Sequence, residues 1–243
     1  MKSIKNSIPN SITSMNLLCG VASVVLSLSA VSGQPLFPEI GSSYLLPCIL
    51  IFCGAIFDFF DGFVARLLHV SSEIGKELDS LADLLSFGFA PAGLYALYLK
   101  NNYFSELGLL IYLPLLLVLF SALRLAKFNV DKRQTENFIG LTTTATAMFT
   151  ASLMLWLDTS VGMQIPLWLV SAMVAIFCYL LVSEIPMFSL KIKHWTWKGN
   201  ELRFILIAVA LISIILCGWG GIAITIALYV LFSIFRMFVT RKN

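Results

Sequence analysis

Four aspartates stand where an apolar chain should carry none. Asp58 and Asp61 interrupt one hydrophobic run, and Asp79 and Asp83 lie in or at the edge of the next. An ionised aspartate at mid-bilayer costs about 2.5–3.5 kcal/mol, so four would cost on the order of 10–14 kcal/mol, comparable to the whole stability of a protein. Such residues must face a polar cavity or hold cations. Asp58 and Asp61 are three apart and share a helix face, and Asp79 and Asp83, four apart, stack on one face of the following helix. If those helices face each other, four carboxylates converge, an all-oxygen set suited to Mg²⁺ or Mn²⁺. No His or Cys lies in the cluster, which argues against zinc. Gly62, Ala65 and Gly75 leave room for a ligand to approach the backbone, and Arg66 offers a fork for phosphate oxygens. Together these residues describe a diphosphate site. The competing reading pairs the aspartates with Arg66 and Lys76 as a buried ion network, or has them anchor helix ends. Four acids against two bases leave negative charge that only a cation would neutralise.

Helices of this kind need a membrane around them. Of the 243 residues, 59% are hydrophobic and 12% charged, against roughly 25% charged in a soluble domain. That excludes a soluble globular protein and a disordered one. The net charge of +3 is scattered along the chain, which excludes a nucleic-acid binder. Cys19, Cys48, Cys53, Cys178 and Cys217 fall inside apolar runs without metal-ligand spacing and read as small hydrophobes. Apolar runs near the length of a membrane helix predict spans at 12–33, 43–66, 79–99, 106–126, 141–158, 164–185, 203–217 and 220–237. The fold class is therefore an all-α polytopic membrane helix bundle of eight spans. The last two are kept apart at Gly218–Gly221, because the merged stretch 203–237 is too long for one crossing. With both termini in the cytoplasm, every Lys and Arg except Lys100 falls on the inner side. Lys2 and Lys5 before an apolar run, with Ala30-Val31-Ser32 after it, resemble a secretory signal peptide. The run is long for one, and the uncleaved helix fits the charge alternation. Residues 1–10 can instead lie along the membrane surface, and His69, His194, Trp195 and Trp197 read as interfacial.

Written out, the acidic segment is Asp58-x2-Asp61-Gly62-x2-Ala65-Arg66-x8-Gly75-x3-Asp79-x3-Asp83. It resembles, without a mismatch, the signature of the CDP-alcohol phosphotransferase family. The resemblance implies a six-helix core over residues 1–186 and leaves 187–243 as a two-helix C-terminal extension. Further text resembles the membrane phosphatidylserine synthases within that family. Ile8-Pro9-Asn10, Thr13 and Asn16-Leu17-Leu18-Cys19-Gly20 resemble their first helix. Gly75-Lys76-Glu77-Leu78-Asp79-Ser80-Leu81-Ala82-Asp83, Ser86-Phe87-Gly88 and Ala90-Pro91-Ala92 resemble their second block. Arg124-Leu125-Ala126-Lys127-Phe128-Asn129 differs from theirs by Lys127 in place of arginine. After Phe138-Ile139-Gly140-Leu141, Thr142-Thr143-Thr144 departs from the usual proline and small residues.

The resemblance implies transfer of a phosphatidyl group from CDP-diacylglycerol to L-serine, with release of CMP. Asp58, Asp61, Asp79 and Asp83 would hold two Mg²⁺ or Mn²⁺ ions. Asp58, Asp61, Gly62, Ala65, Arg66, Gly75 and Asp79 would bind the cytidine diphosphate, and Asp83 would be the general base. It also implies a homodimer, while the apolar runs and the placement of basic residues predict a multi-pass protein of the cell (inner) membrane with its active site facing the cytoplasm. Serine brings a carboxylate that needs a cation, so Arg124 and Lys127, with Asn129, are candidate acceptor residues; they also read as positive-inside anchors. Glu184, with Ser183 and Pro186, could meet the serine ammonium or end a helix. Glycerol 3-phosphate or inositol phosphate would want more basic residues than Arg124, Lys127, Lys132 and Arg133, and choline an aromatic cage. A divalent-metal transporter, the alternative from another class, would need a polar path to the far side, where these helices are almost wholly apolar.

Overall fold

The computed structural model describes residues 2–70, 72–106, 108–131, 138–160, 163–188 and 200–240. His194, Trp195 and Trp197 lie outside the described residues, as do Lys132, Arg133, Lys191, Lys193, Lys198, Arg241 and Lys242. The helices are α1 (Lys2–Val31), α2 (Leu45–Leu67), α3 (Glu73–Asp83), α4 (Ala90–Tyr103), α5 (Leu115–Val130), α6 (Thr143–Thr159), α7 (Leu167–Val182), α8 (Glu201–Cys217) and α9 (Gly220–Thr240). A π-helical turn, Leu84–Phe89, fuses α3 and α4 into one rod, so the described residues form eight rods. Among the described residues, five stretches are long and apolar enough to cross a membrane: Ser7–Val31, Leu45–Leu67, Glu73–Tyr103, Gly108–Val130 and Gly220–Phe238. The helices α6, α7 and α8 have 17, 16 and 17 residues. At 1.5 Å per residue that is about 25 Å, short of a hydrocarbon core of about 30 Å.

The first helix is longer than its apolar run suggests. α1 continues back to Lys2 straight through Pro9, so residues 2–10 are an extension of the first rod rather than a separate surface segment. Close packing holds α1 in place. A side-chain carbon on Gly20 would lie 2.7 Å from the Ser86 backbone, and one on Gly54 of α2 would lie 3.0 Å from Asn16 Oδ1. Small residues at these crossings let the helices approach where lipid provides no hydrophobic drive. The core centres on α4, where Leu94, Tyr95, Leu97 and Leu99 are buried against α1, α5 and α6. Apolar side chains on the outer helices, among them Phe59, Ile215, Leu216 and Phe235, remain exposed, as a lipid-facing surface requires.

Two features were not expected from the apolar pattern. Phe138–Ile139 pairs antiparallel with Pro186–Met187, a two-residue bridge that docks the α5–α6 connection against the end of α7. Gly140, at φ +75°, makes this possible: a side chain there would stand 2.9 Å from the Ser183 carbonyl oxygen. The other is the depth to which α8 and α9 fold onto each other. Gly218 turns the chain at φ +54°, and a side chain on Gly221 would lie 2.4 Å from the Ile214 nitrogen, so the two helices touch along their backbones. The tip of this hairpin is held by Ser152 of α6, whose Oγ donates to the Trp219 carbonyl oxygen and accepts from Ala223 N at 3.0 Å. Keeping the two C-terminal helices apart agrees with this arrangement.

Candidate active site

The signature falls on two neighbouring elements. Asp58 and Asp61 occupy the C-terminal half of α2, and Asp79 and Asp83 the second and third turns of α3. α3 starts where Ser72 caps it, its Oγ accepting from Gly75 N at 3.0 Å. That start fixes the angular position of Asp79, one turn beyond Gly75. One carboxylate oxygen from each of Asp58, Asp61 and Asp79 lies within 4.8 Å of the other two. Two unit charges that close repel by about 3 kcal/mol or more at an effective dielectric of about 20. Three such oxygens fit a hard divalent cation, which would turn that repulsion into ligation. Asp83 stands outside this trio, half-buried, and interacts electrostatically with Asp58, Asp79 and Asp61. The expected convergence of four carboxylates is therefore three together with the fourth beside them.

A cleft of ≈ 560 Å³, open mouth included, runs from Asp61 and Asp79 of this trio toward the surface between α1, α2 and α3. Gly62, Ala65 and Gly75 line it, as the sequence pattern requires, together with Asp61, Asp79 and Lys76. Gly62 leaves open space: the nearest atom to a side-chain carbon there would be Arg66 Nη1, at 3.8 Å. Gly75 serves a different contact. A side chain on it would meet Asn10 Oδ1 and Ser72 Oγ at 2.9 Å, so its space is taken up by α1. The start of α1 forms the third wall of the cleft through Pro9, Asn10 and Thr13. Spacing arguments centred on the aspartates gave no role to Asn10, Thr13 or Asn16, nor a place in the cleft to Lys76.

The three candidate acceptor residues separate. Arg124 is only 7% exposed and interacts electrostatically with Asp83 and Asp58. Its guanidinium also lies 5.0 Å from the Phe128 ring centre. Its burial beside two carboxylates keeps this guanidinium inside the bundle, away from water and lipid headgroups. Lys127 turns instead to Glu184, with Nζ to Oε1 at 2.6 Å. Asn129 donates from Nδ2 to Ser80 Oγ at 2.8 Å and so ties the end of α5 to α3 beside Asp79. In the divergent threonine run, Thr142 caps α6 by accepting from Ala145 N at 3.2 Å, and Thr143 is buried.

Comparison with known proteins adds an independent line. A family model described as CDP-alcohol phosphatidyltransferase matches residues 6–187. A CDP-diacylglycerol–serine O-phosphatidyltransferase of Helicobacter pylori (strain ATCC 700392 / 26695) is 29% identical over 234 residues, 94% of this chain and 90% of its own. The protein of the same name from Bacillus subtilis (strain 168) is 38% identical over 137 residues, 56% of this chain and 68% of its own. An archaetidylserine synthase of Methanothermobacter thermautotrophicus is 34% identical over 139 residues, 55% of this chain and 52% of its own. The matched region contains all four aspartates, the cleft and Arg124. A transferase of phospholipid synthesis is what that geometry and those relatives share, and the chain belongs to the CDP-alcohol phosphatidyltransferase family.

Proposed function

We propose that the protein transfers the phosphatidyl group of CDP-diacylglycerol to the hydroxyl of L-serine, giving phosphatidylserine and CMP. The observation that carries this reading is the Asp58–Asp61–Asp79 trio, two of whose members line the cleft, with Asp83 and buried Arg124 beside it. The trio, with Asp83, would hold Mg²⁺ or Mn²⁺, two ions per site. Bound there, the cations would neutralise the diphosphate and charge developing on its β-phosphoryl group. Gly62 and Ala65 leave space for the nucleotide, Gly75 lets α1 close the cleft around it, and Arg66 offers its fork to phosphate oxygens. Asp83 accepts the acceptor hydroxyl proton on a carboxylate oxygen. The hydroxyl oxygen bonds to the β-phosphorus, and the bond from that phosphorus to the bridging oxygen breaks. CMP leaves with the bridging oxygen and its electron pair.

Serine as acceptor is supported by the names of the relatives and by Arg124, a desolvated cation next to Asp83 that suits the serine carboxylate. Lys127 and Asn129, one turn further along α5, complete the proposed acceptor side. The eight-span topology with both termini and the site in the cytoplasm belongs to the same proposal, as do the division at residue 186 and a homodimer. The test is CMP release by the purified protein with CDP-diacylglycerol and Mg²⁺ or Mn²⁺ across a panel of acceptors, beside Asp83→Asn. Serine-dependent release that disappears in Asp83→Asn is the expected result. Release with glycerol 3-phosphate, inositol phosphate or choline but not serine overturns the acceptor. No release with any of them overturns the reaction.

A further inference from the structure

Thr13 and Asn16 lie three residues apart on α1, on the face turned toward α2 and α3, and both are shut away from water at 4% and 0% exposure. Each reaches one of the four signature carboxylates. Thr13 Oγ lies 2.6 Å from Asp61 Oδ2. An ionised carboxylate has no proton to give, so the hydroxyl donates, and its single proton favours this contact over the Pro9 carbonyl at 3.1 Å. That bond holds Asp61 Oδ2, and the Gly62 backbone N–H gives the same carboxylate a second hydrogen bond. Asn16 Nδ2 points at Asp83 Oδ1 across 3.5 Å, a loose contact that a bound cation or substrate could tighten.

The surroundings of Asn16 are unusual for an asparagine that only joins helices. Its Oδ1 is buried without a partner among the described residues and faces Gly54, so within them the amide is engaged only through its donor. Its backbone carbonyl accepts from Ser86 Oγ at 2.9 Å, which pins residue 16 to the π-helical turn that begins directly after Asp83. A helix-packing residue would gain more from a satisfied amide or from an apolar side chain of that size. We propose that Thr13 and Asn16 are positioning residues for the transfer reaction, α1 presetting the rotation of Asp61 and Asp83 before cation or substrate arrives. The inference rests on the metal-assisted reading of this site.

The test uses the full-length protein in detergent, with thermal unfolding to verify that each variant folds. Mn²⁺ binding, followed by electron paramagnetic resonance without substrate, reads the role of Thr13. Thr13→Val keeps the shape and removes the hydroxyl, and loss of such a supporting hydrogen bond is expected to weaken Mn²⁺ about 10–100-fold. Thr13→Ser, which restores the donor, returns the affinity to near the wild-type value. For Asn16, the reading is a fall in kcat of about 10–100-fold in Asn16→Ala with little change in the KM for CDP-diacylglycerol. Asn16→Ser replaces it if the alanine variant does not fold. Wild-type Mn²⁺ affinity in Thr13→Val, or wild-type kcat in the folded Asn16 variant, overturns the role of that residue while leaving the site intact. A wild-type protein that binds no Mn²⁺ removes the metal-assisted reading and this inference with it.

Discussion

Arg124 carries the sharpest consequence at the scale of single residues. Its guanidinium holds positive charge against Asp58 and Asp83 inside the bundle, so it opposes a cation there while attracting an anionic acceptor. Arg124→Met therefore should move two constants in opposite senses. Mn²⁺ affinity rises because a like charge has been removed. The serine KM rises roughly ten- to hundred-fold, the equivalent of one charge-assisted hydrogen bond of about 1.5–3 kcal/mol. Mn²⁺ titration and acceptor kinetics on the same preparation check it, and a fall in both affinities would assign Arg124 to scaffold. Of the site, the four aspartates and Gly62 were legible because each breaks a rule of apolar helices, as a charge or a gap. Thr13 and Asn16 stood out only in the resemblance of the first helix, without a role, because Ser14 and Ser23 on the same helix have similar chemistry and make ordinary contacts to the Asn10 and Pro47 carbonyl oxygens. Nor could spacing pair Lys127 with Glu184, which lie on different elements and meet only once α5 and α7 have packed.

Among the elements, α1 depends on close approach. A carbon added to Gly20 would meet the Ser86 main chain at 2.7 Å, and backbone cannot swing aside as a side chain can. Gly20→Ala is expected to cost about 1–3 kcal/mol, typical of overpacking, and to lower activity as well, because the shift is passed to Thr13 and Asn16. Thermal unfolding and CMP release report the two effects, and intact activity in a destabilised Gly20→Ala would separate α1 from the site. The helices themselves were legible as apolar runs, and the separation of α8 from α9 followed from length alone. Their ends were less so: α3 begins at Glu73 because Ser72 caps it, although apolarity suggests a start near Asp79. The π-helical turn carries the same hydrophobic pattern as an α-helix, so only the backbone shows it. The Phe138–Met187 bridge joins positions too distant in the chain for periodicity to report.

For the molecule as a whole, a divalent cation held by the proposed trio would make folding a cation-dependent equilibrium. Without a divalent ion, like charges within 4.8 Å of one another oppose the packing of α2 on α3. An ion that binds only the folded state adds about 2.7 kcal/mol at a concentration of about 100 times its Kd. The melting temperature should rise as Mn²⁺ is titrated against a chelator. Asp79→Asn, inactive in CMP release, should melt higher than the wild type in chelator and respond weakly to Mn²⁺. A melting temperature independent of Mn²⁺ in the wild type would leave the trio without a ligand.

The rod Glu73–Tyr103 has the lowest mean hydropathy of the five membrane-length stretches, 1.3, and yet is the most enclosed by protein. During biogenesis it would leave the insertion machinery as the span least content with lipid, with Tyr95, Tyr98, Asn101 and Asn102 along its length. α1 and α2 are already made by then and can shelter one side, but α6, which covers another, is still to be synthesised. The nascent chain must therefore hold this rod half-sheltered until α6 arrives.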